Sequence, residues 1–326
     1  MRDMLHKLAL RGEGIVDRFR RTQSAARIIE SYAGYSTPDH LIVRGRVLTS
    51  SRRNAPRPDQ SKLTNLRQMI SLFLTDEVAD VTVLSGNVSA QSDEEGYFTL
   101  ILPHTDQTGW LDVPVTLATG GDVTLCPVLM TPRDAQYMVI SDIDDTVLQT
   151  GAYSLLRNLW TSMTGNAATR RVFPDAVTFL DALTAQGRNP IFYVSSSPWN
   201  LYTFLQDIFA RAGLPMGPMF LRDLGLSETK FITGGHGNHK GASIDAILAA
   251  SPDLPAILIG DSGQKDAAIY ADVIARHPNR IAAVVLRQAD DGLDVKDRAA
   301  MARIRQSDTR LMTGKTFDGM MSDFTP

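Results

Sequence analysis

Residues 137–150 read YMVISDIDDTVLQT. Apolar and small side chains lead straight into Asp142, Asp144 and Asp145. A short apolar run that meets charge only at its exit fits a strand buried on both faces, as in a parallel sheet. Three carboxylates crowded at that exit repel one another, so the reading of this stretch depends on what else arrives there.

The same texture recurs on its C-terminal side. Strand-like runs stand at 190–195 (PIFYVS), 218–223 (PMFLRD), 256–261 (AILIGD) and 281–287 (IAAVVLR). Between them lie helix-like stretches at 174–187, 200–213, 241–250 and 264–277, with Gly187 and Gly213 where C-terminal caps belong. Strands alternating with helices predict a doubly wound, mostly parallel α/β sheet over residues 135–326. On its N-terminal side, residues 37–134 predict a small β-sandwich-like domain. LDVPVTLA (111–118) alternates with period two, and LIVRGRVL (41–48), VTVLSGNV (81–88) and DEEGYFTLIL (93–102) favour strands and a turn at Gly96. Pro114 suggests that its strand is an edge. The turn followed by Gly and an aromatic resembles prealbumin-like β-sandwich modules. SKLTNLRQMISLFL (61–74) carries a helical stripe. Residues 1–36 predict an N-terminal helical segment, with Leu5, Leu8, Ile15, Val16, Phe19, Ile28 and Ile29 roughly on one face. Seven Arg or Lys against four Asp or Glu in the first thirty residues leave a small local positive excess. Mixed charge and the glycines at 12 and 14 favour packing on the chain's own domain over a helix lying on a membrane.

Composition narrows the function classes. The chain has 326 residues, 43% hydrophobic and 21% charged, as in soluble globular proteins. A net charge of -3 argues against a general nucleic-acid binder. Cys126 is the sole cysteine, which excludes an intrachain disulfide or a cysteine metal cluster and suits a reducing compartment. No apolar run approaches the roughly 20 residues of a membrane span. The opening MRDMLHKLALRGEG lacks the features of a secretory signal, so the expectation is a cytoplasmic protein, with peripheral membrane contact kept open. The oligomeric state is not legible.

In open α/β sheets, ligands bind beyond the carboxyl ends of the strands. The first strand ends in Asp142-Ile143-Asp144-Asp145-Thr146, the second in Ser195-Ser196-Ser197, and the fourth in Gly260-Asp261-Ser262-Gly263. Asp266 comes one helical turn later, and Lys240 opens the helix before the fourth strand. Asp142 and Asp144 are two apart and point the same way at a strand end. Together with Asp261 and Asp266 they call for a divalent cation. Hard carboxylate oxygens without accompanying His or Cys suit Mg²⁺, which takes a few carboxylates plus substrate phosphate. Taken singly, each residue has a plainer reading. Asp145 caps a turn, Asp266 meets a helix dipole, Ser195 is a strand-end hydroxyl, and Lys240 is a surface lysine. Ser196, Ser197, Pro198 and Trp199 shape the turn, with Trp199 packing over the helix start. His236 and His239 belong to a polar glycine-rich loop, because no third soft ligand accompanies them.

DIDDT, the strand-ending serine, the isolated lysine and GDSGQKD, in that order, resemble the four motifs of the haloacid dehalogenase superfamily. VSSSPWNLY (194–202) and IGDSGQKDAAIY (259–270) resemble, more narrowly, the actin-patch-associated phosphatidate phosphatase family. The resemblance implies a haloacid dehalogenase-like Rossmannoid fold and Mg²⁺-dependent removal of phosphate from phosphatidate. It implies Asp142 as nucleophile, Asp144 as general acid and base, Ser195 as a donor to the transferring group and Lys240 as its neutralising partner. It also implies Mg²⁺ held by Asp142, the Asp144 carbonyl and Asp261, with Asp266 orienting metal-bound water.

The spaces available for a covering cap, residues 147–173 and 198–239, are short, which predicts an open site for a large or interfacial substrate such as a phospholipid. The stripe Leu155, Leu156, Leu159, Trp160 and Met163 fits acyl chains or core packing equally, and Arg157, Arg170, Arg171 and Arg222 fit an anionic headgroup or a solvated surface. The competing readings are a phosphatase of a soluble phosphoester or phosphoprotein, a serine hydrolase through GDSG at 260–263, and a non-enzymatic binding scaffold with an inactive phosphatase-like domain. The α/β setting disfavours the serine hydrolase, and the retained acidic cluster disfavours the scaffold.

Overall fold

Alternating burial builds the first of two sheets. The computed structural model describes residues 27–49, 78–149, 172–222, 239–263, 265–288 and 295–324. Its N-terminal strands are β1 (Arg27–Ser36), β2 (His40–Thr49), β3 (Thr82–Ser85), β4 (Val88–Gln91), β5 (Tyr97–Pro103), β6 (Gly109–Leu117) and β7 (Thr124–Met130). They form one seven-stranded sheet in the order β4-β3-β6-β7-β1-β2-β5. Only β1 and β7 pair in parallel. β4 also lies beside β5, so where a sandwich-like domain is expected the structure has one mixed sheet whose two ends approach each other. Val43, Val83, Leu100, Val115, Cys126 and Val128 fill that core without solvent exposure. Each such side chain contributes on the order of 1.5–3 kcal/mol. The turn into β5 has Gly96 at φ +82°, where an added Cβ would also lie 2.5 Å from the Val47 carbonyl oxygen.

Two expectations fail here. Residues 27–36 are not helical; they are β1, an interior strand. Ile28 and Ile29 fit a helical stripe, yet IIESYAGY is rich in β-branched and aromatic residues. Pairing with β2, from Arg27 opposite Thr49 to Ser36 opposite Leu41, outweighs the local pattern. β6 is also interior, despite Pro114. β3 pairs only with Thr116 and Leu117, so the proline lies past the end of that ladder and blocks no bond in it. Residues 1–26, the stripe at 61–74 and the stripe at 153–163 lie outside the described residues.

The second sheet holds β8 (Met138–Asp142), β9 (Ile191–Pro198), β10 (Met219–Arg222), β11 (Ala256–Asp261), β12 (Ile281–Arg287) and β13 (Arg310–Gly314). All six are parallel, in the order β10-β9-β8-β11-β12-β13. β8 and β11 are buried along their whole length, as their apolar runs predict. Alternate residues face opposite layers. Val139, Ile257 and Ile259 pack with α1 (Pro174–Thr184) and α2 (Tyr202–Ala212). Met138, Ile140 and Leu258 pack with α3 (His239–Ala250), α4 (Asp266–Arg276) and α5 (Val295–Arg305). The chain is thus a mixed α/β structure with a parallel sheet covered on both faces and a separate mixed sheet. Gly213 caps α2 in the left-handed region, whereas α1 stops before Gly187, at Ala185. No described helix is long and apolar enough to cross a membrane.

Candidate active site

Parallel pairing of β9, β8 and β11 brings their carboxyl ends to one edge. Chain order reverses direction between β8 and β11, the crevice where open α/β sheets bind ligands. After β8 the chain turns tightly: Val147 and Leu148 donate their N–H groups to the Ile143 carbonyl at 3.0 and 2.9 Å. Asp145 sits in that turn at φ +56°, a conformation aspartate tolerates. The turn leaves Asp142 and Asp144 buried at the sheet edge.

The predicted site residues meet there. Lys240 Nζ lies 2.7 Å from Asp142 Oδ1 and 2.5 Å from Asp266 Oδ1. Thr146 Oγ1 donates to Asp142 Oδ2 at 3.1 Å. Ser195 Oγ donates to Asp144 Oδ2 at 2.8 Å, and Ser197 Oγ donates to the same oxygen at 3.1 Å. Gly263 N–H donates to Asp261 Oδ2 at 2.8 Å. Asp261 N–H reaches Asp266 Oδ2 at 3.3 Å. Asp266 can come this close because residue 260 is glycine. A Cβ there would stand 2.5 Å from Asp266 Oδ2 and 2.7 Å from the Tyr270 hydroxyl.

Electrostatics set this edge apart. Burial pushes the Asp142 carboxyl well above its ordinary range; Lys240 opposes the shift, while Asp266 and Asp144 add to it. Burial, with Asp266 beside it, pushes Asp261 up to about 7. Burial alone would lower Lys240, but Asp142 and Asp266 outweigh it and the ammonium stays charged. Asp142, Asp261 and Asp266 each offer an oxygen within 4.8 Å of the others. Asp261 Oδ1 is buried with no hydrogen-bond partner. Among the described residues, one ammonium against three carboxylates, with an orphaned buried oxygen, is a costly arrangement unless a cation completes it. An all-oxygen donor set fits a hard divalent ion. Both oxygens of Asp266 already meet Lys240 and the Asp261 amide, which suits orientation of the site rather than direct ligation.

The structure adds participants to which the sequence assigns no role. Ser197 was expected to shape the turn, yet its hydroxyl shares Asp144 with Ser195; the S-x-S spacing, which puts both on one face of β9, is the available signal. Thr146 stands inside the DIDDT motif, and only the fold brings its hydroxyl to Asp142. Arg287 ends β12 beside Asp261. Its Nε donates to the Thr146 carbonyl at 3.2 Å, and its Nη2 meets Asp175 Oδ2 at 2.8 Å. Its guanidinium lies 4.0 Å and 4.2 Å from the ring centroids of Phe173 and Phe317, so it clamps the turn carrying the aspartates. Trp199 packs, as expected, whereas Ser196, expected to shape the turn, is an exposed residue within β9. His239 opens α3, and Arg222 is exposed at the end of β10. His236 and the arginines at 157, 170 and 171 lie outside the described residues. GDSG at 260–263 closes a parallel strand of the α/β sheet, the setting that disfavours the serine hydrolase reading.

Residues 137–288, from the start of β8 to just past β12, match the family model described as the phosphatidate phosphatase APP1 catalytic domain. Phosphatidate phosphatase APP1 of Saccharomyces cerevisiae is 31% identical over 149 residues, which is 46% of this chain and 25% of that protein. An uncharacterised protein of Schizosaccharomyces pombe is 27% identical over 240 residues, 67% of this chain and 37% of that protein. The chain thus spans between a quarter and about two fifths of the lengths of these relatives.

Proposed function

We propose, on the premise that residues 137–288 belong to the phosphatidate phosphatase APP1 catalytic-domain family, that this chain is a Mg²⁺-dependent phosphomonoester hydrolase that converts phosphatidate to diacylglycerol and phosphate. The observation that carries the reading is the convergence of Asp142, Asp144, Ser195, Lys240, Asp261 and Asp266 from four chain-distant segments onto one edge of the sheet. The strand order and two-sided helix cover support a haloacid dehalogenase-like, doubly wound fold for this region, with the sheet from β1 to β7 as a β-rich companion domain.

In this reading an Asp142 oxygen attacks phosphorus and the bond to the leaving alkoxide breaks, giving an aspartyl-phosphate. Asp144, held by Ser195 and Ser197, gives its proton to the alkoxide. It then takes one from the water that attacks the phosphoryl group, which releases phosphate and restores Asp142. Lys240 offsets the repulsion between the Asp142 carboxylate and the incoming dianion, and Thr146 fixes that carboxylate's rotation. Ser195, whose single O–H is on Asp144 in this structure, turns from that carboxyl to donate to the transferring group, leaving Ser197 on Asp144. Asp142, the Asp144 backbone carbonyl and Asp261 would hold Mg²⁺, and Asp266 would orient its water. The ion, when bound, supplies the positive charge that phosphoryl transfer needs. The substrate brings this chemistry to a lipid surface, so the proposed setting is cytoplasmic with peripheral membrane contact.

The test is phosphate release from phosphatidate in mixed micelles and from soluble esters, with Mg²⁺ and with chelator. The expected result is release that needs Mg²⁺, is fastest on phosphatidate and is lost in Asp142→Asn. Activity only on soluble esters would replace the lipid; full activity in Asp142→Asn would remove the nucleophile.

A further inference from the structure

Ser195–Pro198 overhangs the sheet. On one side β8 stops pairing where Asp142 meets Val194. On the other, the ladder to β10 breaks register between Phe220 and Arg222 before resuming at Pro198. The stretch carrying both Asp144-binding hydroxyls therefore lacks a regular ladder on either side. The segment immediately after Pro198 is held from outside the parallel sheet. Trp199 stacks on Tyr32 of β1, centroids 4.9 Å apart and planes 18° apart. Arg46 of β2 donates to Asn200 Oδ1 at 3.4 Å. The Tyr202 hydroxyl accepts the Ala33 N–H at 2.6 Å, and Thr203 Oγ1 donates to Glu30 Oε1 at 2.7 Å. Of the five residues after Pro198, four thus meet β1 or β2.

Behind this grip lies Arg44, whose side chain is buried at the seam of the two sheets. Its Nη2 donates to the Ala33 carbonyl at 2.7 Å and to the Met219 carbonyl of β10 at 3.2 Å. Its guanidinium lies 4.7 Å from the Phe220 ring centroid, 5.2 Å from that of Tyr35 and 5.3 Å from that of Trp199. Among the described residues no carboxylate pairs with it. A charge buried on carbonyls and ring faces needs those partners in place, so it ties β1 to β10 in one geometry.

We propose that β1 and β2 are positioning elements of the candidate site: by gripping residues 199–203 they hold the overhanging Ser195–Ser197 stretch, and with it both hydroxyls, on Asp144. The β-rich region is then a structural part of the phosphatase centre rather than a separable module. The kinetic part of this inference rests on the proposed function; the structural part does not.

The experiment uses the full chain and four variants, Trp199→Ala, Trp199→Phe, Arg44→Met and Tyr202→Phe. It measures thermal unfolding, kcat and KM on the best substrate, and amide hydrogen exchange by peptide. Misplacement of about 1 Å costs on the order of 100-fold in rate. Folded Trp199→Ala and Arg44→Met are expected to lose kcat by roughly 10- to 100-fold with KM within about twofold, and Trp199→Phe, which keeps a ring on Tyr32, to regain most of it. Exchange is expected to accelerate across 195–198, including the Ser197 amide that donates to Ser195 Oγ, and to stay unchanged across 256–261. If Trp199→Ala does not fold, Tyr202→Phe, which removes one hydroxyl, carries the same two readouts. Unchanged exchange at 195–198 in folded variants overturns the inference, whether or not kcat falls. Should the wild type release no phosphate from any substrate, the proposed function fails, while the exchange result still decides the positioning role.

Discussion

Two clusters of buried charge, one at the seam between the sheets and one at the strand ends, are built on opposite terms. At the seam, Arg44 and Arg46 donate to the carbonyls of Ala33, Met219 and Glu95 and lie against aromatic rings. Carbonyl dipoles and ring faces surround those charges from within the chain, although Arg44 Nε has no hydrogen-bond partner among the described residues. At the strand ends, among the described residues, Lys240 pairs with Asp142 and Asp266 alone, and Asp261 Oδ1 beside them has no hydrogen-bond partner. Acceptors outnumber donors there, and burial raises the carboxyl pKa values. Cations seated on the chain's own carbonyls and rings organise packing; carboxylates crowded around too little positive charge are built for something that arrives.

If that contrast is right, the strand-end cluster is sensitive chemically and the seam geometrically. The largest effect is expected from Asp142→Asn, with turnover falling by roughly 10⁴-fold or more in steady-state assays. Asp144→Asn is expected to lose about 10²- to 10⁴-fold, the usual span for a general acid and base. Lys240→Met leaves buried carboxylates unmatched and should cost about 3–5 kcal/mol in urea unfolding. An unchanged unfolding midpoint would show that the ammonium is dispensable to the cluster.

Proton linkage sharpens the same contrast. The folded Asp261 carboxyl is raised to about 7 from an ordinary 3.8. Between those values the folded state binds the proton more often than the unfolded state does. Stability therefore falls as pH rises through that window, and most of the loss is complete above pH 7. Melting curves with chelator should show this fall, and Mg²⁺ should reduce it by binding the ionised form. A melting temperature that rises with pH without metal would contradict the charge balance drawn here. The smallest effect is expected from Ser197→Ala. It removes one of the two hydroxyls on Asp144, worth about 1 kcal/mol, or roughly fivefold in kcat.

Legibility followed the range of the forces involved. β8, β9, β11 and β12 were readable because each has a run of consecutive apolar residues, as a strand covered on both faces does. Asp142 and Asp144 were readable because they follow an apolar run directly, although β8 ends at Asp142 and it is the turn after it that places Asp144. β1 was misread because Ile28 and Ile29 fit either period, and the deciding partners, β2 and β7, lie elsewhere in the chain. α5 and β13 were not anticipated. α5 buries only Ala300, Met301 and Ile304 in a charged sequence, and β13 buries only Met312. Arg287 was illegible for the same reason as β1: its partners Thr146 and Asp175 are more than a hundred positions away. Lys240 was recognisable only through its motif, since its contacts with Asp142 and Asp266 exist only once α3 packs against the sheet.

The central claim is that Asp142 carries the phosphoryl group in turnover. Its most direct test is rapid acid quench of the enzyme with Mg²⁺ and phosphatidate labelled with ³²P in the phosphate, followed by peptide mapping. The account predicts transient label on the peptide containing Asp142, released by hydroxylamine and absent from Asp142→Asn. Brisk turnover with no label on that peptide, or with label on Ser262 instead, would contradict it.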